Sequence, residues 1–209
     1  MEEEVKKGTT TVGLICSDGI VFAADRRASM GYFIANKETP KIFQIDERLA
    51  MTVAGMVADA QTLVRVMRAE AALYRLQNGK PLSVQAATTL LANILFQYKF
   101  FPFYVQLLMG GYDEKPKIFN LDPLGGVTEE KFVATGSGSP MVYGLLEEAY
   151  REDKPIKENL RLAVKCISVA TKRDCATGDG LDLVAVHATQ GFKQYSQEEI
   201  KKLMEEKER

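Results

Sequence analysis

The spacing of apolar residues changes in blocks along this chain, and that ordering constrains the fold more than any other feature. Short apolar-rich runs at 20–25, 41–45 and 49–54 follow an opening Thr-Thr-Thr-Val run, and all read as strands. Helical spacing then takes over at 57–77 and 83–99, with Asn78-Gly79 and Pro81 closing the first helix. Strand-like runs return at 104–112, 117–121 and 131–135. Two further helices are predicted at 141–151 and 157–172, before closing strands at 181–188 and 192–195. Runs of strands separated by paired helices argue for an α+β layered fold and against a doubly wound parallel sheet. The pattern Ser196-Gln197-Glu198-Glu199 is a capping box that opens a charged helix whose apolar residues are Ile200, Leu203 and Met204. Such a helix is marginal alone and must dock or fray.

The helical stripes, Leu63, Val66, Met67, Leu73 and Leu76 in the first and Val84, Ala87, Leu91, Ile94, Leu95 and Tyr98 in the second, are expected to be core. A chain of 209 residues with 46% hydrophobic content fits one domain. Its net charge of -1, from 27 basic and 28 acidic residues, gives no electrostatic footprint for nucleic acid or anionic lipid. The opening 1–7 lacks the apolar core of a signal peptide, and no run is long and apolar enough to span a bilayer, so a cytoplasmic protein is expected. Cys16, Cys166 and Cys175 are odd in number and widely spaced, which predicts reduced, partly buried thiols rather than a disulfide framework. His187 is the only histidine, so no multi-histidine metal site can form and hydrolytic chemistry must manage largely without imidazole.

Gly8-Thr9-Thr10-Thr11-Val12-Gly13 sets a Gly-Thr bond directly before a strand. Threonine is a weak nucleophile until a base takes its proton, and its own α-amino group becomes such a base once the preceding bond is cut. That amine has an ordinary pKa of about 7.7 to 8.0, so a useful fraction is neutral near neutral pH. Gly8 leaves its own carbonyl open to attack and tolerates strained geometry. The same run is also good strand material after a glycine turn.

Cys16-Ser17-Asp18-Gly19-Ile20 reads as a hairpin turn. A three-residue loop with Gly19 in the left-handed region sets Cys16 opposite Ile20, Thr11 opposite Asp25 and Thr9 opposite Arg27, so that Thr9, Asp25 and Arg27 share a face. A two-residue loop at Asp18-Gly19 sends Asp25 to the other face. The longer loop is therefore expected if these residues form a site.

Thr9-Thr10-Thr11-Val12-Gly13, Asp25-Arg26-Arg27, Lys41-Ile42-Phe43-Gln44-Ile45-Asp46 and Gly136-Ser137-Gly138-Ser139-Pro140 occur in an order and spacing that resembles the catalytic β-subunits of 20S proteasomes, archaeal ones most of all. The resemblance runs from Thr9 to about Tyr195. It implies a four-layer α-β-β-α sandwich of the N-terminal nucleophile hydrolase type. It also implies a propeptide, residues 1–8, removed by self-cleavage at Gly8-Thr9, ahead of a single peptidase domain over 9–209.

The resemblance implies a threonine endopeptidase that needs no cofactor and no metal. Thr9 is the nucleophile, Lys41 the cation beside its hydroxyl, and Asp25 the partner that keeps Lys41 charged; Arg27 is accessory. Gly55, between a strand and a helix, supplies a backbone N–H for the oxyanion. Ser137, Asp174 and Thr177 form a network near the Thr9 amine, with threonine at 177 where the family usually has serine. The Gly136–Pro140 stretch lacks a Walker lysine and is no phosphate loop. Ala28, Ser29, Thr39, Phe43, Val53 and Val57 line the pocket for the side chain before the cut bond; all are uncharged, which favours apolar substrates. Implied partners are other β-subunits and α-subunits in stacked seven-membered rings, a regulatory ATPase reached through the α-rings, and unfolded polypeptide substrates, with no nucleic acid and no membrane. Two rival readings remain on the sequence: an inactive β-type scaffold subunit, and a small-molecule amidase of the same nucleophile class.

Overall fold

The computed structural model describes residues 8–205; residues 1–7, most of the expected propeptide, and 206–209 lie outside the described residues. Strands β1 (Thr11–Cys16) and β2 (Gly19–Asp25) lead into a short hairpin, β3 (Ala28–Met30) and β4 (Phe33–Asn36), and then into β5 (Ile42–Asp46) and β6 (Leu49–Gly55). Helices α1 (Val57–Asn78) and α2 (Val84–Gln97) precede β7 (Val105–Tyr112), β8 (Pro116–Leu121), β9 (Val127–Glu129) and β10 (Phe132–Thr135). Helices α3 (Ser139–Ala149) and α4 (Ile156–Ala170) follow, then β11 (Leu181–His187), β12 (Gly191–Gln194) and α5 (Gln197–Glu205). The block order expected from the sequence is present. Three strands depart from it: β3, β4 and β9 have three or four residues each and none is fully buried, so they carry no apolar alternation.

The strands form two five-stranded antiparallel sheets, β10-β1-β2-β11-β12 and β5-β6-β7-β8-β9, plus the β3-β4 hairpin. Alternation along β1 shows how the layers arise. Val12 and Leu14 join a core with Val21, Ala23, Val142, Leu146, Leu160 and Ile167, between the first sheet and helices α3 and α4. Ile15 points the other way, into a core with Ile20, Phe22, Ala50, Leu108 and Ile118 that lies between the two sheets. A third core joins α1 and α2 to the second sheet through Leu63, Met67, Leu91, Leu95, Leu107 and Met109. The Phe22 ring is fully buried between the sheets because Gly13 and Gly110 leave it room: a Cβ at either would come within 2.8 Å of the ring.

The α1 stripe is Ala60, Leu63, Val64, Met67 and Ala71. Leu73 and Leu76, expected in the core, lie on the opposite side and are 47% and 84% exposed, and Tyr98, just past the end of α2, is 52% exposed. The Ser83 hydroxyl caps α2 by accepting the Ala86 N–H at 3.2 Å. At α5 the capping box is complete: the Ser196 N–H donates to Glu199 Oε2 at 2.7 Å and the Glu199 N–H to Ser196 Oγ at 3.2 Å. The helix docks rather than fraying alone, with Ile200 buried in the core beside α4.

Cys16 and Cys166 are buried thiols with pKa values pushed up to about 12 by that burial; Cys175, contrary to expectation, is exposed. Among the described residues no helix is long and apolar enough to cross a membrane, and no group of three His, Cys, Asp or Glu side chains could hold a metal ion.

Candidate active site

The β1–β2 turn corrects the expected register. Cys16 pairs with Gly19 across a two-residue loop of Ser17 and Asp18, and Thr11 pairs with Ala24 rather than Asp25. The Asp25 N–H donates to the Thr10 carbonyl at 3.2 Å, so Thr10 is the residue opposite Asp25, and the three-residue loop is not needed. Gly19 is already part of β2, paired with His187 of β11, and its φ of 154° is not the left-handed value that the three-residue loop needs.

Asp25 ends β2 fully buried and accepts four hydrogen bonds. Its Oδ1 takes the Lys41 ammonium at 2.7 Å and the Thr10 N–H at 2.9 Å; its Oδ2 takes the Arg27 and Gly178 N–H groups, each at 3.0 Å. One oxygen thus bridges the Lys41 ammonium and the Thr9–Thr10 peptide. Lys41 is 5% exposed, and its pKa is lowered because burial penalises the ammonium more than the Asp25 charge and hydrogen bond favour it.

Thr9, 5% exposed, is clamped from the other side by the loop between β10 and α3. Its N–H donates to Ser137 Oγ at 3.1 Å, and its carbonyl accepts the Gly138 N–H at 3.3 Å. Gly136, at φ 88°, is required here, since a Cβ would collide with the Thr9 carbonyl. The Ser137 hydroxyl donates to Asp174 Oδ2 at 2.6 Å, and Thr177 Oγ1 donates to the same oxygen at 2.5 Å. Ser137, Asp174 and Thr177 therefore meet beside the Thr9 nitrogen. Thr10, which sequence reasoning missed, joins them with its Oγ1 2.7 Å from Thr177 Oγ1; within a Thr-Thr-Thr run it looks like plain strand material.

Arg27 goes elsewhere than the shared face expected for it. β2 ends at Asp25, and the guanidinium turns to Asp179 Oδ2 and the Cys175 carbonyl, both at 2.6 Å. Hydrogen bonding to Asp179 raises the Arg27 pKa and lowers that of Asp179. Asp179 sits at φ 59°, where only a few non-glycine residues settle. A cavity of about 400 Å³ opens beside this pair, with Asp174 and Thr177 in its wall. Nearby, Arg26 approaches Asp182 at 3.6 Å, and burial raises the Asp182 pKa.

The residues expected to line a substrate pocket are tied to the same region. The Gly8 N–H donates to Ser29 Oγ at 3.1 Å, the Thr39 N–H to the Arg26 carbonyl at 2.9 Å and the Val53 N–H to the Lys41 carbonyl at 2.9 Å. Phe43 and Val53 pack in one core, Ala28 is half-buried in β3, and Val57 is 44% exposed at the start of α1. Gly55 ends β6, exposed, at φ 139°.

A threonine clamped at its amide, a buried lysine–aspartate pair and two packed antiparallel sheets flanked by helices define a class, and comparison agrees: the chain belongs to the proteasome subunit family, whose profile matches residues 5–186. Within it the likeness is to archaeal β-subunits. Proteasome subunit beta of Methanocaldococcus fervens is 51% identical over 206 residues, spanning 97% of this chain and 92% of that protein. Proteasome subunit beta of Methanothermobacter thermautotrophicus is 50% identical, covering 98% of both, and proteasome subunit beta 1 of Thermococcus onnurineus is 49% identical, covering 96% of this chain and 98% of its own.

Proposed function

We propose that this chain is the threonine-type endopeptidase subunit of a proteasome core particle, made as a precursor that cuts itself between Gly8 and Thr9. The observation that carries the reading is the convergence on Thr9 of two charge clusters, Lys41 with Asp25 on one side and Ser137 with Asp174 and Thr177 on the other. Membership of the family and three cores spaced by two sheets support the four-layer α-β-β-α arrangement of N-terminal nucleophile hydrolases.

In the precursor the Thr9 nitrogen is acylated and cannot act as a base. Thr9 Oγ1 attacks the Gly8 carbonyl carbon, the Gly8–Thr9 C–N bond breaks as the hydroxyl proton ends on the leaving Thr9 nitrogen, and water hydrolyses the resulting ester to release residues 1–8 and regenerate the hydroxyl beside the free Thr9 amine. Only a glycine fits at position 8 beside the reacting bond, because a Cβ there would overlap Ala176 Cβ and come within 2.8 Å of Ser137 Oγ. In turnover the neutral amine takes the hydroxyl proton as Thr9 Oγ1 attacks a substrate carbonyl, and that proton then leaves with the departing amine. The acyl ester is hydrolysed by water, which regenerates the hydroxyl. Lys41 stabilises the developing alkoxide, and the Gly55 N–H donates to the oxyanion. No cofactor enters any step.

The particle we propose stacks seven-membered rings of this subunit between α-subunit rings, with an ATPase feeding unfolded polypeptides to the chamber and no role for nucleic acid or membrane. Such a particle works in the cytoplasm. Ala28, Ser29, Thr39, Phe43, Val53 and Val57 offer no charge to a substrate side chain, while an apolar one gains about 1.5–3 kcal/mol on full burial. Fluorogenic peptides ending in Leu, Phe or Tyr should therefore be cleaved with higher kcat/KM than matched peptides ending in Arg or Asp. Equal or faster cleavage of the charged peptides by trimmed, assembled protein would refute the pocket assignment. Activity on simple amides by a small oligomer, without activity on peptides, would replace the peptidase reading with an amidase.

A further inference from the structure

Proton counting around Asp174 gives a direction to the hydrogen bonds behind Thr9. A hydroxyl carries one proton, and a carboxylate only accepts. Asp174 Oδ2 accepts from both Ser137 and Thr177, so the Thr177 proton is already used. The 2.7 Å contact between Thr10 and Thr177 is then one in which Thr10 donates. Both hydroxyls are sealed from solvent, with Thr10 0% and Thr177 1% exposed, so no water can take over either role. The chain runs from Thr10 to Thr177 to Asp174 on one side, and from the Thr9 nitrogen to Ser137 to Asp174 on the other.

The backbone of Thr10 has a second part. Its N–H donates to Asp25 Oδ1, the same oxygen that holds the Lys41 ammonium. One residue therefore touches both clusters, through its main chain and its side chain. The adjacent loop makes room for this: a Cβ at Gly138 would collide with Thr10 Oγ1 and lie 3.2 Å from Asp174 Oδ2.

We propose that Thr10 is a positioning residue for the Thr9 reaction centre, its hydroxyl fixing Thr177 and through it the Asp174–Ser137 pair that orients the Thr9 amine. Donation into Thr177 Oγ1 polarises that hydroxyl toward Asp174, because chained hydrogen bonds strengthen one another. Thr10 acts through others and touches no reacting atom. The proposal rests on the peptidase reading above and adds a residue which that reading does not use.

The test compares Thr10→Val, which keeps the branched shape and deletes the hydroxyl, with Thr10→Ser, which keeps the hydroxyl and deletes the methyl. Both are measured on assembled protein whose loss of residues 1–8 is verified by intact mass. If trimming stalls, they are measured on chains released at Thr9 from an N-terminal tag by a site-specific protease. The expected result is a fall in kcat of about tenfold for Thr10→Val with KM within about twofold of wild type, and at least about half the wild-type kcat for Thr10→Ser. A packing role alone would lower the unfolding midpoint of Thr10→Val and leave kcat in place. The proposal is overturned if kcat of Thr10→Val stays within about twofold of wild type, or if Thr10→Ser falls as far as Thr10→Val. Wild-type turnover abolished by Thr9→Ala, run alongside, secures the peptidase reading separately; a wild type without turnover overturns both.

Discussion

Asp25 illustrates how one buried side chain can hold a site together: with four donors on its two oxygens it has no free valence, and Lys41 has no other carboxylate within ion-pair distance among the described residues. Removing one partner of a buried pair strands the other, at a cost of about 3–5 kcal/mol. Asp25→Ala should thus lower the unfolding free energy by that order, read as a lower urea midpoint with an unchanged slope, whereas exposed ion pairs such as Lys131–Glu152 should matter by less than about 1 kcal/mol. Lys41→Ala and Lys41→Arg should both fold yet lose peptidase activity, because the broad guanidinium fork does not replace a compact ammonium. Near-normal turnover by trimmed Lys41→Ala would remove the lysine from the mechanism. Asp182 gives a pH signature. Burial raises its folded pKa above the ordinary 3.8, so the folded state binds more protons than the unfolded one between the two values. Its contribution is complete below the unfolded pKa and is lost as pH rises through the folded pKa. Asp182→Asn should gain stability relative to wild type as pH rises above the ordinary 3.8 toward the raised folded pKa, as followed by urea unfolding.

Among the elements, periodicity makes the long helices and the buried strands legible, because each has a wide apolar face against a sheet or helix. The β3–β4 hairpin is not legible: Met30 and Phe33 are 58% and 66% exposed, and no apolar alternation marks them. The expected β1–β2 register is one residue off because local turn chemistry permits several loops, and Gly19, paired with both Cys16 and His187, lies in β2 rather than in the loop. Leu73 and Leu76 match a helical period yet face away from the second sheet. Leu76→Ser should accordingly cost less than about 0.5 kcal/mol in the isolated subunit. Ile200 is the reverse case, one buried anchor in a highly charged helix. Ile200→Ala should cost about 2–5 kcal/mol, and Ser196→Ala about 1 kcal/mol through the lost cap, both by chemical denaturation.

Across the molecule, the sequence exposes the site in fragments, Gly8-Thr9, Asp25, Lys41, Gly136-Ser137-Gly138 and Asp174 to Thr177, spread from one end of the chain toward the other. Only the stacking of two sheets explains their meeting. β1 and β2 bring Thr9 and Asp25 together, the segment before β5 brings Lys41 from the second sheet, and the loops around α3 and α4 bring Ser137 and Asp174. Thr10 is invisible in the sequence, since its importance lies in a hydrogen bond to a residue 167 positions away. Every step of the mechanism depends on Thr9 being the nucleophile both for its own release and for peptide cleavage. Intact mass after assembly decides the first of these roles, comparing wild type with Thr9→Ala in preparations free of other proteases. Wild type is predicted to lose residues 1–8 and Thr9→Ala to keep them. Trimming of the alanine variant at the same bond would contradict that role for Thr9.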